Sequence, residues 1–527
     1  MSASDKKKLR AAERAEKMTE KQLAEQKEAK KLKTMTTVFV VVLAVMIVFA
    51  AVTAVTKTIE GKGIREKNTV AVTINDHEIS NAELSYYYMG TINQFLSQYG
   101  NYAYLLGLDT TKPLNEQIVD ETTGKTWADD FLSSAVETAK SVYALNDAAK
   151  AEGFALTEEQ LSEIDMTIEN ESTYALLYGY TSMNDYLKAV YGRGADEESY
   201  RSYFEMAYLA DAYQQHNYDS LTYEDADLRE AEADDYNAYN SYSYNTYYLA
   251  TSSFDNADAA EAAAKELTAA EINTVEALDA AIAKLSINKD VTGAASTANK
   301  EVLSGNISST YAQWVTDSAR KAGDVNYFPS TYTSTDDNGN ETTTVSGYYV
   351  VMFGSFTDNN FPMANVRHIL AAFEGGTTDS TTGMTTYTEE EKLAAKVEAQ
   401  ELFNEWKKGE ATEESFAALA NEKSDDGDGT TGGLYEDINP STNFVTNFKE
   451  WALADHEAGD TEIVETEYGY HIMYYCGDSD MTYRDFMIES DLRAADFNDW
   501  YTELVNAVTT TDGDTKYINK DLVLSQS

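Results

Sequence analysis

The hydrophobic pattern divides the chain into stretches of different period. Residues 34–56, between Lys33 and Lys57, form a 23-residue window with an unbroken apolar run from Val38 to Val52, and the window is long enough to cross a hydrocarbon core of ~30 Å. Residues 70–80 (VAVTINDHEIS) then predict two short strands around a turn at Asn75-Asp76. Ser80 is placed to cap a helix holding Tyr86, Tyr87 and Tyr88, with Glu83 completing a capping box. From 127 to about 233 the period is helical, punctuated by Gly153, Gly179 and Gly192, with one helix starting at Thr157. The Tyr- and Asn-rich segment 236–248 changes the period to extended.

Residues 363–478 carry the densest pattern. NVRHILAAF is an apolar strand holding Arg367 and His368, followed by a Gly/Thr/Ser-rich loop at 375–386. Thr388 and Glu391 predict a capping box, and Ala395, Ala399, Leu402, Phe403 and Trp406 form one buried helix face that ends at Gly409. A second helix starts at Thr412, with Phe416, Leu419 and Ala420 inward. After the polar loop SDDGDGTTGGLYEDI, Phe444, Phe448 and Trp451 share one side of another short helix, and two strands meet around Gly469. The order β-α-α-loop-α-β-β predicts a small α+β sheet with its first strand beside its last.

Charge refines this picture. Residues 1–33 carry eleven Lys/Arg against six Asp/Glu, a net of +5, which leaves about −55 on the rest of a chain whose total is −50. Such a surface excludes nucleic acid as a partner, because a phosphate backbone requires a basic footprint. Within twenty residues of the 34–56 segment, seven Lys/Arg precede it and four follow, which orients a cytoplasmic tail (1–33), one transmembrane helix (34–56) and an extracytoplasmic bulk. Val52-Thr53-Ala54 is compatible with signal cleavage, but the long preceding segment favours a retained anchor. Cys476 is the single cysteine, so no intramolecular disulfide forms. His77 and His216 each stand apart and are expected as surface or turn residues. The five histidines show no metal-ligand spacing and no phosphate-cradling glycine motif occurs, so neither a metal nor another cofactor is expected.

The ordered set VRHIL, FAALA, KSDDGDGTTGG, FKEWAL and AGDTEIVETEYGYHIMYY resembles the parvulin-type peptidyl-prolyl cis/trans isomerases over about 115 residues. That resemblance implies His368 and His471 facing each other in an active site. It places a catalytic Asp at Asp426, with Asp425 the alternative one residue away, and a proline pocket at Leu434, Phe444 and Phe448. The family's Gly-Gly-Asp-Leu-Gly turn reads Gly432-Gly433-Leu434-Tyr435 here. Residues 371–391 contain no Lys or Arg, so the basic cluster of phospho-specific parvulins is missing. Residues 69–235 resemble the helical chaperone-like domain of membrane-anchored exported foldases, which a C-terminal helix (483–510) would complete.

Residues 240–358 read as a degenerate copy of the same module. YNTYYLATSSF parallels NVRHILAAF, and SGYYVVMFGSF parallels YGYHIMYYCGD. The alignment puts Tyr247 in place of His368 and Tyr349 in place of His471. The fold class expected is thus α+β: an anchor helix, a helical domain and two parvulin-like modules, the first without histidines. The resemblance implies an isomerase acting on Xaa-Pro bonds of unfolded or folding exported polypeptides. A non-catalytic holdase and a surface-anchored scaffold are the alternatives.

Overall fold

A computed structural model describes residues 63–285, 295–335, 339–380, 382–427 and 429–524. The span expected at 34–56 and the tail before it lie outside these residues. Among the described residues no helix is long and apolar enough to cross a membrane. The described residues divide into two compact units, one within 223–492 and the other formed by 63–222 with 493–524.

In the latter unit, β1 (Val70–Ile74) and β2 (His77–Ser80) form the expected hairpin. The turn places Asn75 at φ 49°, a left-handed conformation that Asn tolerates. The C-terminal strand Thr510–Asp512 pairs with the other side of β1. Ser80 caps α1 (Asn81–Tyr99) by accepting from the Glu83 amide, but the reciprocal half of the box is missing because the Glu83 carboxylate takes the Tyr143 hydroxyl instead. Tyr143 lies on α2 (Trp127–Glu152), followed by α3 (Glu158–Leu177), α4 (Met183–Tyr191) and α5 (Glu197–Ser220). Thr157 and Gln160 make a full capping box for α3. Tyr86 is buried against Tyr191 and Tyr200, at ring-centroid distances of 4.8 and 5.7 Å. His216 is exposed, as expected, and stacks on Phe154, while His77 opens β2 directly after the turn with its Nε2 3.0 Å from Asp147. The end of the helix Tyr483–Asn506 packs Phe497 on Tyr218 and Trp500 on Tyr213.

The other unit starts with α6 (Asp225–Asp234) and contains two four-stranded antiparallel sheets. The first runs β3 (Ser241–Ala250), α7 (Ala257–Glu266), α8 (Val275–Ile282), β4 (Thr297–Leu303), α9 (Ala312–Val315), β5 (Val325–Thr335), β6 (Glu341–Thr357). The second runs β7 (Pro362–Ala372), α10 (Glu389–Lys408), α11 (Glu413–Lys423), β8 (Leu434–Ile438), α12 (Thr446–Ala452), β9 (Thr461–Glu465), β10 (Gly469–Thr482). Strand order is β4-β3-β6-β5 in one and β8-β7-β10-β9 in the other. The pairing repeats at a fixed displacement of 122 positions: Tyr244↔Phe353 and Ala250↔Gly347 in the first, Val366↔Tyr475 and Ala372↔Gly469 in the second.

That register corrects one pairing drawn from the sequence. The partner of His368 is Met473 and the partner of Thr246 is Val351, so Thr246, not Tyr247, holds the position of His368. Tyr247 faces the helices α7 and α8, in the cluster with Leu249, Ala260 and Leu278. A one-residue slip in a strand exchanges its two faces. Tyr349 does hold the position of His471.

Two further differences concern the second sheet. Residues 434–438, expected inside a polar loop, form β8, the edge strand beside β7. Phe444 precedes α12 rather than lying on it. Both helix starts at Thr388 and Thr412 carry full capping boxes. Ala395, Ala399, Leu402, Trp406 and Phe416 bury one face of the sheet through Ile369, Ala371 and Ile472. The opposite face packs Val366, Met473 and Tyr475 against Tyr435, Phe448 and Trp451.

Buried Arg484 ties the segments flanking the two sheets together. It pairs with Glu232, donates to Asn240 Oδ1 at 2.9 Å and to the carbonyls of Asp358 and Tyr236 at 2.8 and 2.6 Å, and lies 4.1 Å over the Tyr236 ring.

Candidate active site

The second sheet places His368 in the middle of β7 and His471 near the start of β10. His368 is paired with Met473 and His471 with Leu370, a diagonal two residues apart, so both imidazoles leave the same face. Their Nδ1 atoms are 2.8 Å apart and their rings nearly parallel, at 11°. Both side chains are buried. Burial pushes the His471 imidazole down to about 3, and burial with the neighbouring His471 pushes His368 well below the ordinary histidine value. Both rings are therefore neutral at physiological pH.

The neighbours set the tautomers. His471 Nε2 is 2.8 Å from Thr466 Oγ1, and His368 Nε2 is 3.6 Å from Asp426 Oδ2. At that distance Asp426 acts through its charge rather than through a hydrogen bond, and a nearby carboxylate favours the His368 tautomer protonated on Nε2, with a bare Nδ1. In that tautomer His471 donates from Nδ1 and its Nε2 accepts from the Thr466 hydroxyl, which also lies 3.4 Å from Gly469 O. The favoured tautomers line up Thr466, His471 and His368 by hydrogen bonds, with Asp426 as the charge at the end of the row.

Aromatic rings wall the pair. Phe448 meets both imidazoles edge-on, at 5.0 Å from His368 and 5.3 Å from His471. Phe444 packs on Phe448 at 4.9 Å. Tyr435 lies 4.9 Å from His368 and donates to Asp426 Oδ2 at 3.3 Å. Leu434, opposite Arg367, packs partly buried against the same cluster.

Of the residues singled out in the sequence, His368, His471, Asp426, Phe444 and Phe448 thus meet in one place, with Leu434 at the cluster they form. Asp425 is not at the histidines: its amide donates to Leu370 O at 3.0 Å, and its carboxylate accepts from the Ala372 amide at 2.9 Å. It fastens the loop to β7. The sequence reading missed Thr466 and Tyr435. The Thr466 signal is its place in the turn between β9 and β10, where its amide bonds Gly469 O at 2.9 Å; Tyr435 was hidden because β8 read as loop. Among the described residues no group of three or more His, Cys, Asp or Glu is placed to hold a metal ion.

The first sheet has Thr246 and Tyr349 where the second has its histidines. Tyr349 packs on Tyr248 and Tyr311, at 4.7 and 5.5 Å.

A neutral histidine pair on one sheet face, flanked by a carboxylate and walled by aromatic rings, defines the second module as parvulin-like. Residues 368–476 match the family model described as Rotamase, the PPIC-type PPIase domain. No curated protein matches the chain. Among solved structures, the foldase protein PrsA from Streptococcus pneumoniae shows 12% identity, with 54% of this chain and 79% of that chain covered, at a TM-score of 0.19. A chain described with the Campylobacter jejuni SurA-like chaperones PEB4 and Cj1289 shows 10% identity over 65% of this chain and 95% of that one, at 0.15. With scores this low, the family-model match is the comparison that bears on the site.

Proposed function

We propose that the second module is a peptidyl-prolyl cis/trans isomerase and that the whole chain is a foldase. Rotation about an Xaa-Pro amide faces a barrier of ~18–20 kcal/mol because resonance holds the bond planar. No bond to the substrate has to form or break. The protein must grip the proline ring and favour the twisted amide over both planar forms. Phe444, Phe448 and Leu434 supply the grip. The neutral pair and Asp426 supply an oriented polar floor beneath the amide as its resonance is lost. The observation that carries this reading is the buried His368–His471 pair directly against Phe448. The missing basic cluster at 371–391 favours an unmodified Xaa-Pro segment over a phosphorylated one.

The apolar run at 38–52 and the flanking charge bias support a single-pass anchor with the bulk of the chain outside the cytoplasmic membrane, where exported polypeptides would be the clients. A holdase role is favoured by one observation of its own. Tyr102, Tyr104 and Leu105, and separately Leu176 and Leu177, are largely exposed, Leu177 at 75%, and such apolar surface suits unfolded chains.

A protease-coupled proline-peptide assay on the full chain tests the isomerase. Activity is expected, with a loss of about a hundredfold in His368→Ala combined with Phe448→Ala. Undiminished activity in that double variant would remove this site assignment. An inactive wild type that still suppresses client aggregation would favour the holdase. For location, impermeant labelling of an engineered exposed cysteine at Tyr102 in intact cells should succeed; labelling only after lysis would rule out the extracytoplasmic placement.

A further inference from the structure

Tyr435 makes two contacts at the histidine pair that gripping a proline does not require. It stands opposite Val366 on the edge strand β8, on the face that carries His368. Its ring lies 4.9 Å from the imidazole at 33° and 4.8 Å from Phe444. Its hydroxyl donates at 3.3 Å to Asp426 Oδ2, the same oxygen that faces His368 Nε2. The Asp426 side chain is 40% exposed, and its loop continues through Gly427 at φ 86°. A half-exposed carboxylate on such a loop has many rotamers to choose from. Burial and the Asp426 charge push the Tyr435 phenol well above its ordinary value, so it is a constant donor.

The first sheet repeats the device with other residues. Asn299 stands opposite Tyr244 as Tyr435 stands opposite Val366. Its amide donates at 3.1 Å to Oγ1 of Thr246, the residue at the register position of His368. In both sheets a side-chain donor leaves the edge strand from this position, to Thr246 in the first and to Asp426 in the second.

We infer that Tyr435 is a positioning residue for the isomerase. Its hydroxyl aims Asp426 at His368 Nε2, which fixes the tautomer chain, and its ring covers the side of His368 turned toward β8. The inference rests on the isomerase reading of the site. With its hydroxyl bonded to Asp426, the phenol acts on the site through that carboxylate, and floors of this kind act through donors fixed before the substrate arrives.

The test uses the full chain in the protease-coupled assay together with nitrogen-15 spectra of its imidazoles. Tyr435→Phe keeps the ring and removes the hydroxyl. It is expected to lower kcat about tenfold with KM little changed, since a hydrogen bond to a charged acceptor is lost while the wall remains. The His368 Nε2–H signal should shift or broaden. The loss should also vanish in an Asp426→Ala background, because the two groups act through one bond. An equal loss in both backgrounds would reduce Tyr435 to packing and overturn the proposal, as would wild-type kcat with unchanged imidazole signals. A wild type without isomerase activity would remove the isomerase reading, while the imidazole signals would still decide whether Tyr435 orients Asp426. If Tyr435→Phe fails to fold, Asp426→Asn, which keeps an acceptor for the phenol, must leave the His368 Nε2–H signal sharp; loss of that signal would overturn the proposal.

Discussion

His368 and His471 face each other Nδ1 to Nδ1 at 2.8 Å across adjacent strands, and one hydrogen between them is all that this geometry accommodates. Protonating both nitrogens would set two donors against each other inside a buried site.

Stability in acid should follow from this. Both folded-state histidines are depressed, His471 to about 3, while in the unfolded chain they titrate near 6.5. Below 6.5 the unfolded state binds protons that the folded pair refuses. The stabilisation is therefore complete above 6.5 and is lost as pH falls toward 3. The melting midpoint of the unit holding this site should fall progressively below pH 6.5, and less steeply in His471→Gln. Imidazole shifts of the pair should stay constant from pH 8 to 5; titration of both near 6.5 would contradict the buried neutral pair.

Gly469, two residues before His471, has φ 151°, and an added Cβ would stand 2.1 Å from the carbonyl oxygen of Ala371. Gly469→Ala must push β10 away from β7. A loss of ~2–3 kcal/mol in stability is expected, together with reduced isomerase activity as the Nδ1–Nδ1 distance opens. Denaturant titration and the peptide assay check both.

Arg484 is 1% exposed and holds Glu232, Asn240 and two carbonyls at once. Arg484→Met should cost ~3–5 kcal/mol, because Asn240 and the two carbonyls lose their buried donor while Glu232 keeps only Arg229. Urea unfolding followed by near-ultraviolet circular dichroism measures it, and wild-type stability in the variant would show that the network is dispensable.

Glu171 on α3 is fully buried beside Tyr186, Tyr191 and Tyr200. Burial pushes its carboxyl up to about 7, offset only in part by the Tyr186 hydroxyl. The sign is opposite to that of the histidines. Full stability is present below 4.5 and is lost as pH rises through 7, by ~3 kcal/mol at most. Glu171→Gln should raise the melting midpoint of the helical unit at pH 8 and leave it unchanged at pH 4. Equal shifts at both pH values would exclude Glu171 as the titrating group.

Much of the site was legible in the sequence because its cues are local. The capping boxes at Thr157, Thr388 and Thr412, the buried face from Ala395 to Trp406 and the alternation around His368 each depend on residues a few positions apart. Those cues place the helices and put both histidines on strands. Register is not local. The sequence alignment set Tyr247 against His368, and pairing with β6 sets Thr246 there instead, because alternation alone is equally content one residue either way. β8 escaped notice for a related reason: its five residues gain their strand conformation from hydrogen bonds to β7, more than sixty residues earlier in the chain. Asp425 and Asp426 are chemically identical, and only the loop's attachment to the Leu370 and Ala372 backbone turns one into an anchor and leaves the other for His368. The sequence by itself determined the elements and the chemical groups available. Tertiary structure decided which of them meet, since pairing across a sheet is settled by the burial of whole faces and not by any one residue's neighbours.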